Sequence, residues 1–255
     1  MNKLLLTVAA ALLFPAVALA GVPIQGGGSA VTAEVETNSR ALRVTARPID
    51  PAMGGARGCY AYSATSGVLA AALAANAVVF SARYDPATTT DIAIVTHLKV
   101  AFLPLTLFTA ATLTDATSFD AFIGRSFSVA HTGGTAGTLT GDNLKLRTSF
   151  ASTSFADIRI STTAALGGGT VTLPTHPFAQ TLRKANRTNP AAATEETITD
   201  ATAGNIEVNF NVGDSEYPIA LADQEGIVVR NRTVWPAAGT GQIQVTMRWC
   251  EVTSY

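Results

Sequence analysis

The sequence predicts an all-β protein, with antiparallel sheets packed as a β-sandwich or jelly roll behind an N-terminal arm. Three observations predict it. The polar positions are filled largely by Thr, Ser and Gly, and β-branched Thr suits a pleated, half-buried strand better than a helix. Short strand-like runs recur between Gly, Asn, Asp and Pro turn signals, with no strand–helix rhythm that would call for a parallel sheet. The last run, 242–252, has a clean period of two. Ile243, Val245, Met247 and Trp249 point one way; Gln242, Gln244, Thr246, Arg248 and Cys250 point the other.

From the N-terminus, Met1-Asn2-Lys3 is a short cationic start, 4–17 an apolar run, and Ala18-Leu19-Ala20 a small-residue cleavage pattern before Gly21. This is the pattern of a secretory signal peptide, and the run is too short for a comfortable membrane span. Two fates stay open for 1–20: cleavage, or retention as an apolar arm. Residues 21–40 are expected to be a flexible Gly-rich arm, with a short helix candidate at 32–39. A first strand is expected at 41–46, ended by Pro48, Pro51 and Gly54-Gly55, and 41–255 is expected to form one sandwich domain.

Further strands are expected at 59–63, 78–84, 92–102, 121–130, 157–162, 206–212, 226–234 and 242–252. The Ala- and Leu-rich run 68–75 is too short to hold as a helix and is read as a loop or one helical turn, as is 109–118. The Gly-rich runs 132–141 and 166–172 are expected to be exposed loops, and 180–200 a surface excursion. Residues 236–241 are expected to join the last two strands as a hairpin.

Composition narrows the function classes. Charged residues make up 14% of the chain, against about 25% in an average soluble domain. With 17 Lys and Arg against 18 Asp and Glu, the net charge is −1, and no basic stripe stands out that could exchange counterions with a phosphate backbone. Nucleic acid is therefore not an expected partner. A low-charge, hydroxyl-rich surface suits densely packed assemblies, where desolvating a charge costs more than desolvating a hydroxyl; it equally suits an ordinary secreted protein. Cys59 and Cys250 allow a single disulfide in an oxidising compartment, or two unpaired cysteines.

Catalytic patterns are weak. His97, His131 and His176 share no metal-ligand spacing and read as strand or surface histidines. The stretch Gly124-Arg125-Ser126-Phe127-Ser128 lacks the second glycine of a nucleophile elbow. Asp214, Glu216, Asp223 and Glu225 crowd one region and admit glycoside chemistry or a calcium ion, with loop solvation as the simpler reading. Asn186-Arg187-Thr188 and Asn231-Arg232-Thr233 match the glycosylation sequon, a pattern short enough to arise by chance. No enzyme, cofactor or metal is expected.

Some forty C-terminal residues carry Gln224-Glu225-Gly226, then Arg230-Asn231, a small-residue turn, and a final strand ending in Trp249-Cys250-Glu251-Val252. With Phe127-Ser128-Val129-Ala130, the 138–143 TLTGDN run, 145–149 and 157–161, this pattern resembles a group of phage and prophage virion proteins over roughly 40–255. The resemblance implies a decoration, fibre or tail-associated subunit that contacts copies of itself and other structural subunits. It transfers no catalytic residues. The expected location is the virion or the extracellular space, with export if 1–20 works as a signal peptide. The signal-like N-terminus departs from the virion pattern and supports an alternative, an exported surface or periplasmic sandwich that binds a ligand or forms a filament. A secreted hydrolase is the third reading.

Overall fold

The computed structural model describes residues 24–26, 31–33, 56–70, 72–106, 118–180, 187–188, 195–196, 206–209, 218–235 and 239–253. The signal-like segment, the strand expected at 41–46, most of 109–118, Asp214 and Glu216 lie outside them. The chain divides into two compact units, Met1–Pro48 and Ile49–Tyr255. In the first, β1 (Ile24–Gly26) and β2 (Val31–Ala33) pair antiparallel. A β ribbon thus occupies positions expected to be a flexible arm and the start of a short helix.

In the second unit the described residues form strands and no helix. They are β3 (Ala56–Thr65), β4 (Val78–Tyr84), β5 (Ile92–Thr106), β6 (Phe119–Thr132), β7 (Thr135–Ala136), β8 (Phe155–Ile160), β9 (Gly167–Thr172), β10 (Ala179–Gln180), β11 (Arg187–Thr188), β12 (Glu195–Glu196), β13 (Ile206–Asn209), β14 (Ile219–Leu221), β15 (Glu225–Asn231) and β16 (Thr240–Val252). A larger sheet runs β10-β6-β15-β4-β8-β7, with β9 also on β6; a smaller one runs β13-β5-β16-β3, with β14 also on β5. All pairings within them are antiparallel. β11 and β12 pair separately.

The core lies between the sheets. From the smaller come Tyr60, Tyr62, Val95, Leu98, Val100 and the inward row of β16; from the larger come Phe80, Ala82, Tyr84, Ile158, Ile160, Ile227 and Val229. Aromatic pairs stitch the layers: Trp249 lies 4.9 Å from Phe155 and Tyr62 lies 6.2 Å from Phe80, while Tyr60 stacks on Trp249 within the smaller sheet at 5.5 Å. On β5 the inward set changes from Ala93 and Val95 to Leu98 and Val100. The ladder with β16 slips there, because Trp249 pairs with Val95 while Arg248 pairs with His97. Thr96 is the extra residue, a bulge that moves the alternation by one.

Two expectations are corrected. β15 and β16 are not a hairpin: β15 lies between β4 and β6 in the larger sheet, and β16 between β5 and β3 in the smaller. The connection crosses between layers, and Trp235 at its start is buried against Phe102 and Phe119. Burying that indole between the sheets separates the two strands, which a tight turn would have kept side by side. The second correction concerns 166–172, expected to be a loop, where Gly167–Thr172 is strand β9 on β6. Gly168 and Gly169 take positive φ (61° and 86°), and the absence of side chains lets the backbone close on β6.

The larger sheet carries a third layer. β6 follows β15 as far as the Gly124–Gly226 pair, then turns at Ser126, whose φ is 50°. The Phe127 amide donates to the Gln224 carbonyl across this bend (2.7 Å). Beyond it, β6 and β9 form a ribbon over the face turned away from the smaller sheet. A side-chain carbon on Gly226 would meet the Phe127 ring, and one on Gly124 would meet Val171. Phe122, Phe127 and Val228 are consequently fully buried although they stand outside the main core.

Candidate functional site

The outward face of the smaller sheet presents a regular ladder of side chains across β13, β5, β16 and β3. Its rows follow from register. Gln244 lies opposite Thr65 and Ala101; Thr246 opposite Ser63 and Lys99; Arg248 opposite Ala61 and His97; Cys250 opposite Cys59 and Ile94. β13 extends two rows with Glu207 beside Lys99 and Asn209 beside His97. Across β3 and β16 most side chains are short hydroxyls, amides and alanines. Ser63 and Thr246 share a hydroxyl hydrogen bond (3.0 Å), as do Thr106 and Thr240 (2.8 Å).

Charge on this face collects toward β13. Glu207 receives Lys99 at 3.3 Å and lies 3.8 Å from the His97 ring. At one end, Leu103 and Leu105 are exposed beside a shallow depression of about 330 Å³ lined by Thr65, Ala101, Leu103, Gln242 and Gln244. Weakly charged strand surfaces of this kind can pack against another protein surface with little desolvation cost.

Cys59 and Cys250 stand at the other end and are joined by a disulfide, with sulfurs 2.16 Å and Cα atoms 4.1 Å apart. The backbone explains the approach. The Cys59 carbonyl accepts from the Leu146 amide, and the Ala61 amide donates to the Leu144 carbonyl. Both therefore turn their polar groups away from β16, which makes Cys59–Cys250 a non-hydrogen-bonded pair, the register at which facing Cα atoms are closest. Cys250 holds the outward position that its alternation predicts.

The remaining sequence candidates scatter. Glu225 pairs with Arg125 (2.9 Å) and accepts from the Ala222 amide (2.9 Å), tying the turn into β15. Asp223 shares that turn. Among the described residues no group of three or more His, Cys, Asp or Glu could hold a metal ion. His97 is on the outward face, His176 is exposed in a loop, and His131 is buried under the β6–β9 ribbon. Asn231 is fully buried and its amide donates to the Ala74 and Thr233 carbonyls (both 2.7 Å). The folded chain thus closes that sequon to modification.

Sequence reasoning missed a buried polar cluster at the end of β16. Glu251 continues the inward row after Trp249 and is fully buried. Its carboxylate accepts from the Ser154 amide (2.9 and 3.0 Å), the Thr153 hydroxyl and the Trp249 indole (3.1 Å). Nearby, Asp91 pairs with Arg57 (2.9 Å) and the Tyr60 hydroxyl donates to the Ala151 carbonyl (3.0 Å). Burial, reinforced by Glu251, pushes the Tyr60 and Tyr84 hydroxyls well above the usual tyrosine range. With its oxygens committed to protein donors, Glu251 ties Thr153 and Ser154, just ahead of β8 in the larger sheet, to β16 in the smaller one. The signal was a carboxylate at an inward position of a period-two strand.

Set against known proteins, the chain matches no protein-family model, no curated protein and no solved structure.

Proposed function

We propose that this chain is a non-enzymatic structural subunit of a virion or virion-like assembly, working through contacts between copies. The observation that carries the reading is the outward face of the smaller sheet, a ladder of hydroxyls and amides around Ser63, Thr65, Gln244 and Thr246. Repeated copies can stack on the Thr65, Ser63, Gln244 and Thr246 rows with little charge to desolvate, Arg248 lying one row farther along. The sequence resemblance points the same way.

Light scattering behind size-exclusion chromatography, with negative-stain microscopy, tests it. The wild type is expected to form a defined oligomer or ordered particle, and Gln244→Glu with Thr246→Glu to dissociate it while keeping the fold. A wild type that stays monomeric at all concentrations overturns the proposal.

One observation favours a second reading, an exported surface or periplasmic protein. The Cys59–Cys250 disulfide belongs to an oxidising compartment, as a secretory N-terminus would require. Mass spectrometry of the mature N-terminus in a native host separates the two: cleavage after Ala20 supports export, and a retained segment counts against it.

A further inference from the structure

The β6–β9 ribbon places a titratable ring between two layers. His131 is 5% exposed, and its Nδ1 is buried with no hydrogen-bond partner among the described residues. The Phe127 ring lies edge-on at 5.3 Å, and Gly169 passes so close that a side-chain carbon there would be 2.6 Å from the imidazole. The β9 residues at the ring, Gly168 opposite it and Gly169 against it, carry no side-chain donor or acceptor, and Thr170 pairs with Val129 instead.

The charged groups packed around the ribbon are already paired. β8 brings Asp157 and Arg159, with the Arg159 Nε holding both Asp157 oxygens (3.0 and 2.9 Å) and its Nη1 donating to the Gly133 carbonyl (3.0 Å). β4 brings Arg83, which donates to the Phe127 carbonyl and pairs with Asp85 (2.7 Å). At the bend, Arg125 of β6 pairs with Glu225 of β15. Farther along, Arg230 lies over the Phe122 ring and Arg232 pairs with Asp120 (2.7 Å). β7 and β9 bring no charge. A proton on His131 would place a cation in a buried layer whose neighbouring carboxylate, Asp157, is already held by Arg159.

We propose that the β6–β9 ribbon is an acid-released flap: protonating His131 drives its ring out of the layer, lifts β9 from the larger sheet and uncovers Phe122, Phe127 and Val228. The direction of linkage agrees. Burial lowers the His131 pKa from its ordinary value near 6.5, with Asp157 opposing. A base so lowered leaves the closed state at full stability above that value, and stability is lost as pH falls through the folded value.

Hydrogen exchange of the full chain, read by mass spectrometry at about pH 7.5 and about pH 5 and corrected for intrinsic exchange, is the test. The wild type is expected to lose protection about tenfold or more in 127–132 and 166–172 at the acid pH while 242–252 stays protected. His131→Phe, which fills the site without titrating, should keep the ribbon closed at both. Should the larger ring prevent closure even at neutral pH, His131→Gln is the deciding variant. Equal protection at both pH values, a loss spread evenly over the chain, or acid opening that persists in the non-titrating variant overturns the proposal.

Discussion

In the smaller sheet β16 buries Ile243, Val245, Met247 and Trp249 and turns Gln244 and Arg248 to solvent, whereas in the larger sheet β15 buries Ile227, Val228 and Val229 in succession. The strands are built alike and differ in what lies behind them. One sheet has a core on one face; the other is closed on both, by the core and by the β6–β9 ribbon. A sheet closed on both faces reads as a continuous apolar run, and a half-open sheet reads as alternation. Position in the layers, more than strand propensity, wrote the two patterns.

Four measurements break or sharpen this contrast. The largest effect is expected where both sheets share one side chain: Trp249→Ala should cost about 3–5 kcal/mol in urea unfolding, since it removes the ring between Tyr60 and Phe155 and the donor to Glu251. Next, replacing both cysteines by serine should lower stability by about 2–4 kcal/mol and leave the far-ultraviolet dichroism of the folded protein unchanged, because the β3–β16 ladder persists without the bond.

A matched pair then compares the outward faces directly. Val228→Thr should cost about 1–3 kcal/mol by burying a hydroxyl under the ribbon, while Thr246→Val on the open face should change stability by less than about 0.5 kcal/mol. Equal costs would mean that the open face is covered too. The last is Gly169→Ala, which should cost more than about 1 kcal/mol, because the methyl is forced into positive φ and against the buried His131 ring, and should perturb the His131 resonance.

How much of this was legible in the sequence follows from the same contrast. The final strand could be read in detail, to the outward side of Cys250, because solvent on one face forces polar residues into every second position. β4 was bounded correctly for a simpler reason, the turn residues at both ends of an apolar run. The partner of β15 was illegible: its apolar run states burial on both sides without saying which strands lie beside it, and sequence proximity suggested β16. β9 was illegible because its three glycines look like a loop, although their role is to let the backbone approach His131 and Thr132. Glu251 was in view but was read as the end of a strand. Its register position marked it as a buried carboxylate that must find donors.

The bond between Cys59 and Cys250 joins positions 191 residues apart, so almost every described loop of the second unit lies inside one covalent ring. A protease that cuts any of those loops opens the ring without releasing a piece. The nicked molecule gains only the water of hydrolysis and migrates as one band until a reductant is added. Damage to an exposed loop would therefore leave the molecule whole in its surroundings, and the history of that damage would be visible only after reduction.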